Sequence, residues 1–126
     1  MAKIMVVDDE PSLVSVVKKT LEMEGHDVYG VNSGVECLNT VGEVRPDLIL
    51  MDIMMPIKDG WETTKELKER EDAKDIPVAM MTVRSSKDDK LKSFHDSRCD
   101  GYITKPLDLD ELTTVVDWLL KPPKNR

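Results

Sequence analysis

Two periodicities alternate along this chain, and their alternation restricts the fold more than any single residue does. Short apolar runs rich in β-branched side chains recur at residues 4–7, 28–31, 48–51 and 78–81, with a weaker one at 102–103. Between them lie segments with helical spacing. Pro11 stands at a first-turn position, Leu13, Val14, Val17 and Leu21 follow on one stripe, and Gly25 closes that segment. Val35, Leu38 and Val41 mark a second helix, and Trp61, Thr64, Leu67 and Lys68 a third with a polar outer face. Ser86 with Asp89 has the form of a capping box before Leu91 and Phe94. Asp108 with Glu111 repeats that form before Leu112, Val115, Val116 and Leu119, and Pro122–Pro123 ends regular structure. Strand and helix thus alternate five times. The expectation is an α/β domain with a mainly parallel sheet covered on both faces.

On that frame the polar residues gather at one edge. Asp8 and Asp9 follow the first strand, Asp52 the third, Thr82 the fourth and Lys105 the fifth. In an open parallel sheet, ligands bind outside the carboxyl ends of the strands. Each residue alone has an ordinary explanation: Asp8 and Asp9 as caps of the helix begun by Pro11, Asp52 as a turn residue, Thr82 as a β-former. Lys105 before Pro106 reads singly as a solvated loop lysine, Tyr102 as a half-buried strand aromatic, and Met54 and Met55 as packing. Their convergence on one sheet edge outweighs the separate explanations.

Composition narrows the function classes. At 126 residues the chain is one domain, and 40% hydrophobic with 34% charged residues is an ordinary water-soluble balance. A formal net charge of −7 opposes direct nucleic-acid binding, which demands a basic face. The apolar run that leads to the first acidic pair is only four residues long, too short for a signal-peptide core, and no later stretch approaches a membrane span. Cys37 and Cys99 are far apart and form no CxxC, so they read as reduced, buried thiols of a cytoplasmic protein. His26 and His95 do not combine with them in a zinc-ligand pattern.

The motifs VVDDEP, LILMDIMMPIKDGWE, MMT ending at Thr82 and YITKP resemble, at these spacings, the receiver domains of response regulators in two-component signalling. The resemblance covers essentially the whole chain. It implies a flavodoxin-like (βα)5 three-layer sandwich with strand order 2-1-3-4-5. It implies a receiver domain over 1–121 with a short tail at 122–126 and no output domain within the sequence. It also implies phosphorylation of Asp52 by a sensor histidine kinase or phosphotransfer protein. Mg²⁺ would be held by Asp9, Asp52 and the backbone carbonyl of Met54, with Asp8 acting largely through water, and Lys105 would face the acceptor carboxylate. Thr82 and Tyr102 would relay the added charge to a surface made by the fourth helix, fifth strand and fifth helix, which controls a downstream protein.

The chemistry is consistent with that assignment. Three carboxylates crowded together at ~4 Å repel by about 4 kcal/mol per pair at an effective dielectric of ~20. Raised pKa values or a hard divalent cation would offset this. Departures from the family pattern are Val83 after Thr82, Ile57–Lys58 within the MPxxDG motif, and Leu107 after Lys105–Pro106. Met54 and Arg84 flank the expected path of hydrolytic water and are expected to influence phosphoryl lifetime. The sequence leaves the isomer of the Lys105–Pro106 bond open. Rival readings are weaker. An aspartyl phosphohydrolase wants a second acid where Met54 stands, and an FMN carrier would not place Asp8, Asp9 and Glu10 in its phosphate loop. An interaction module that has lost its switch is opposed by the complete set of acceptor residues.

Overall fold

The computed structural model describes residues 1–83, 98–122 and 124. Strands β1 (Lys3–Val7), β2 (Asp27–Val31), β3 (Leu48–Asp52), β4 (Val78–Val83) and β5 (Gly101–Lys105) form one parallel sheet in the order β2-β1-β3-β4-β5. Helices α1 (Pro11–Met23), α2 (Gly34–Val44), α3 (Gly60–Glu69) and α4 (Leu109–Leu120) complete the described elements. The architecture is flavodoxin-like, as expected. The Ser86–Asp89 capping box, the Leu91 and Phe94 anchors, Arg84 and His95 lie outside the described residues.

Alternation within the strands makes two cores from one sheet. Ile4, Val6, Leu48, Leu50, Ala79 and Met81 join Val17 and Leu21 of α1 and Leu112 and Val116 of α4 on one face. Met5, Val7, Ile49, Met51, Val78 and Met80 join Cys37 and Val41 of α2 and Leu67 of α3 on the other. All five residues of β3 are buried, as a central parallel strand requires. Both cysteines are free and buried, and burial, only partly countered by Arg70, pushes the Cys37 thiol up to about 12.

Several local expectations change. Val35 is exposed, and the inner stripe of α2 is Gly34, Cys37 and Val41. Gly34 sets this rotation: a Cβ there would stand 2.2 Å from Thr63 Oγ1, so only a glycine lets α2 approach α3 so closely. Met55 packs as expected, whereas Met54 is 72% exposed. Ser33 and Asp59 accept hydrogen bonds from the N–H groups of Glu36 and Glu62, capping α2 and α3. At α4, Asp108 caps the N–H groups of Asp110 and Glu111, but the second half of the expected capping box is diverted. Glu111 Oε1 instead accepts from the backbone N–H of Thr104 at 2.8 Å and from its hydroxyl at 3.1 Å.

Two further features carry energetic weight. Lys68 Nζ, its side chain 9% exposed, donates to Asp100 Oδ2 at 2.8 Å and to the carbonyl of Ile76 at 2.9 Å. Asp100 Oδ2 also accepts from Val78 N–H, so one ion pair ties α3 to the starts of β4 and β5. Ile57 has φ +71° and is 98% exposed, and Lys58 N–H reaches back to Pro56 O at 2.8 Å. That is a γ-turn of the strained hand on a β-branched residue.

Removing the Lys68 ammonium strands a half-buried carboxylate, so Lys68→Met should lower unfolding stability by about 2 kcal/mol in urea titrations. Ile57→Gly should act in the opposite sense. Relief of left-handed strain exceeds the entropy that glycine adds to the unfolded chain, and the gain should be about 1 kcal/mol by the same measurement.

Candidate functional site

The carboxyl ends of β1, β3 and β5 deliver three of the site's charged side chains to one place. Asp8 follows β1, and its backbone N–H is tied to Val31 O of β2 at 3.1 Å. Asp8 is 1% exposed, and its Oδ1 accepts from Glu10 N–H at 2.9 Å. The N-cap of α1 is Glu10, with no side-chain capping bond, so Asp8 and Asp9 do not serve as helix caps. Asp52 is the last residue of β3, in register with Met81, and is 5% exposed. Gly60 protects that position: its N–H donates to Ile53 O, and a Cβ there would meet Asp52 O at 2.1 Å. Lys105 ends β5, and its Nζ donates to Asp52 Oδ1 at 2.9 Å and to Asp8 Oδ2 at 3.0 Å. Asp8, Asp9 and Asp52 each offer a carboxylate oxygen, all within 4.8 Å of one another.

Charge is unbalanced in this cluster. Burial raises the Asp52 carboxyl above its ordinary range and nearby Asp8 adds to the effect, while hydrogen bonds from Lys105 and the Met54 backbone oppose it. For Lys105, burial favours the neutral amine, but the hydrogen bonds to Asp52 and Asp8 outweigh it and the ammonium is retained more firmly than usual. One ammonium therefore faces three carboxylates. The donor set is all oxygen, with Asp9 open to solvent, and these residues fit a hard divalent cation.

The other expected site residues stand nearby without joining the ion cluster. Thr82 lies within β4, opposite Thr104, and its hydroxyl donates to Val83 O at 3.2 Å. Tyr102 is half-buried, and its ring meets Trp61 edge-to-face with centroids 6.4 Å apart. Val83 is in register with Lys105 and 47% exposed. Leu107 packs partly against the α1–α4 core, and the Lys105–Pro106 bond is cis. Asp52, Thr82 and Lys105 lie inside their strands rather than after them, because pairing continues to the residues that carry the charge. The Thr104–Glu111 contact beside Lys105 escapes sequence reasoning, since an acid three residues after Asp108 reads equally well as a capping partner.

Comparison with known proteins agrees with this fold. The response regulator receiver domain model matches residues 4–117. The chain is 37% identical over 121 residues to the DNA-binding dual master transcriptional regulator RpaA of Synechocystis, covering 96% of this chain and 50% of that protein. It thus spans about half the length of the curated relatives it matches. Among solved structures, the signal receiver domain of a Syntrophus aciditrophicus signal transduction histidine kinase superposes with a TM-score of 0.90 at 32% identity, covering 100% of this chain and 95% of that one. The receiver domain of a Pseudomonas aeruginosa sensor histidine kinase, which has a magnesium ion coordinated in its active-site cleft, gives a TM-score of 0.85 at 25% identity, covering 94% and 97%. With the strand order, the acidic edge and the family match in agreement, the chain belongs to the response regulator receiver domains of two-component signalling.

Proposed function

We propose that Asp52 accepts a phosphoryl group in a Mg²⁺-dependent reaction, and that the resulting charge changes how this domain contacts a downstream protein. The observation that carries this reading is the position of Lys105 Nζ, within hydrogen-bond reach of both Asp8 and Asp52, with Asp9 completing the acidic cluster. A carboxylate oxygen of Asp52 attacks phosphorus as the bond from phosphorus to the donor's imidazole nitrogen breaks; that nitrogen keeps the bond's electron pair, and with a proton on the other ring nitrogen the imidazole leaves neutral. Water later attacks the aspartyl phosphate and releases inorganic phosphate. Lys105 stays beside the reacting carboxylate and supplies fixed positive charge as negative charge accumulates. Asp8, Asp9, Asp52 and the Met54 carbonyl would hold Mg²⁺, which when bound supplies charge neutralisation for the incoming phosphoryl oxygens.

The donor is a sensor histidine kinase or phosphotransfer protein, and the setting is the cytoplasm. Among the described residues no helix is long and apolar enough to cross a membrane. The output passes through Thr82 and Tyr102 to the face that includes β5 and α4. Among the described residues, turning the Thr82 hydroxyl toward a phosphoryl oxygen would release a 3.2 Å contact with Val83 O, which costs little against a charge-assisted bond.

Intact-mass analysis after incubation with acetyl phosphate tests the acceptor role. The chain should gain one phosphoryl group in the presence of Mg²⁺, and should gain none after chelation or in Asp52→Asn. Labelling that persists in Asp52→Asn would sink the assignment.

A stability measurement checks the electrostatics separately. Because burial raises the Asp52 carboxyl, the folded state holds that proton more tightly than the unfolded chain. Its contribution to stability is full below the unfolded pKa of about 4 and is lost as pH rises through the raised folded value. Without divalent cation, Asp52→Asn should therefore unfold at higher urea than the unsubstituted chain at neutral pH. The gap should narrow as pH falls toward ~4, where the raised Asp52 carboxyl of the folded protein is protonated and, like asparagine, uncharged.

A further inference from the structure

Lys105 supplies the positive charge of the cluster from an edge strand, because β5 stands at the end of the sheet. Strand β4 holds β5 from one side through the pairs Thr82↔Thr104 and Val83↔Lys105. On the outer side, an edge strand presents backbone N–H groups that no further strand can engage. The outward N–H of Thr104, immediately before Lys105, is met by Glu111 Oε1 at 2.8 Å. The Thr104 hydroxyl adds bonds to the same carboxylate at 3.1 and 3.4 Å.

This contact is built at the expense of another. Glu111 occupies the third position of α4, from which a glutamate ordinarily folds back to the residue that caps its own helix. Asp108 performs its half of that exchange, through 2.8 and 3.2 Å bonds to Asp110 and Glu111 N–H, while the Glu111 carboxylate turns to the strand. Glu111, Thr104 and Lys105 are all half-buried, so the brace is partly shielded from water. The chain from Thr104 to Glu111 becomes a short closed loop, fastened at both ends, with Lys105 and Pro106 inside it.

We propose that Glu111 is a positioning residue for phosphoryl transfer: by bracing the outer edge of β5 at Thr104, it fixes the backbone from which Lys105 reaches Asp52 and Asp8. This rests on the phosphoacceptor reading of Asp52. Glu111 acts through hydrogen-bond geometry, so an uncharged acceptor of the same shape should serve nearly as well. It does not touch the acidic cluster, so metal affinity should be insensitive to it.

The experiment compares the unsubstituted chain with Glu111→Ala and Glu111→Gln. Three quantities are read: the rate of labelling by acetyl phosphate with Mg²⁺, the Mg²⁺ dissociation constant of the unphosphorylated chain, and the urea midpoint. Glu111→Ala should slow labelling by about 10-fold, the scale of losses when a supporting partner is removed, with Mg²⁺ affinity within about twofold. Glu111→Gln should recover most of the rate. Labelling of Glu111→Ala at the unsubstituted rate would overturn the proposal. So would equal slowing in Ala and Gln, which would mean charge rather than position. If Glu111→Ala does not fold, Glu111→Leu, which keeps the side-chain bulk without the acceptor, takes its place under the same criteria. The ¹⁵N signal of the Lys105 ammonium, assigned with Lys105→Arg, gives a readout that does not need phosphorylation. Its position should move in Glu111→Ala and return in Glu111→Gln, and an unchanged signal would refute the brace. Failure of the unsubstituted chain to label would instead count against Asp52 as acceptor, leaving the lysine signal to decide on Glu111.

Discussion

The Lys105 ammonium lies within 3.0 Å of Asp8 and 2.9 Å of Asp52, and the arrangement of the carboxyl edge depends on that bridge. Without it, two nearly inaccessible carboxylates and a third close by would face one another in a poorly solvated setting. Mutual repulsion of about 4 kcal/mol per pair at close range is a large fraction of the stability of a domain this size. The bridge lessens that repulsion without cancelling it, since Asp52 remains raised. A residual demand for positive charge is thereby concentrated at one point of the surface, and this makes the edge suited to a divalent cation.

The remainder of the fold supports that local conflict by being consistent everywhere else. Each strand presents one apolar set to each core, and central β3 is buried from end to end. The opposite ends of β4 and β5 are fastened by the Lys68–Asp100 pair and its backbone partners, far along the strands from the acidic edge. A sheet so held transmits little deformation, so the side chains at its carboxyl ends keep their spacing while their charges oppose each other.

Much of this was legible in the sequence because it depends on period and position. The alternation of apolar runs with helical stripes specified the architecture, and strand ends at Asp8, Asp52, Thr82 and Lys105 specified the edge. What escaped depends on contacts between elements. The rotation of α2 that exposes Val35 follows from the approach of Gly34 to Thr63, which no pattern within α2 encodes. Met54 reads as packing beside Met55, yet the turn sends it to solvent. Glu111 satisfies a local capping rule so well that its bond to Thr104, seven residues back, has no separate signal.

Thr82 and Lys105 show how unequally the side chains at this edge are held. Both lie at the end of the β4–β5 ladder, one residue apart in register, yet their side chains are held very differently. Lys105 is fixed by two short ionic hydrogen bonds, whereas Thr82 has a 3.2 Å bond to the adjacent carbonyl. Charge-assisted bonds are about twice as strong as neutral ones, so new negative charge at Asp52 would tighten the lysine's contacts and compete easily for the threonine's. Charge-assisted and neutral bonds thus hold neighbouring positions of one ladder, and the difference follows from which side chain carries a charge.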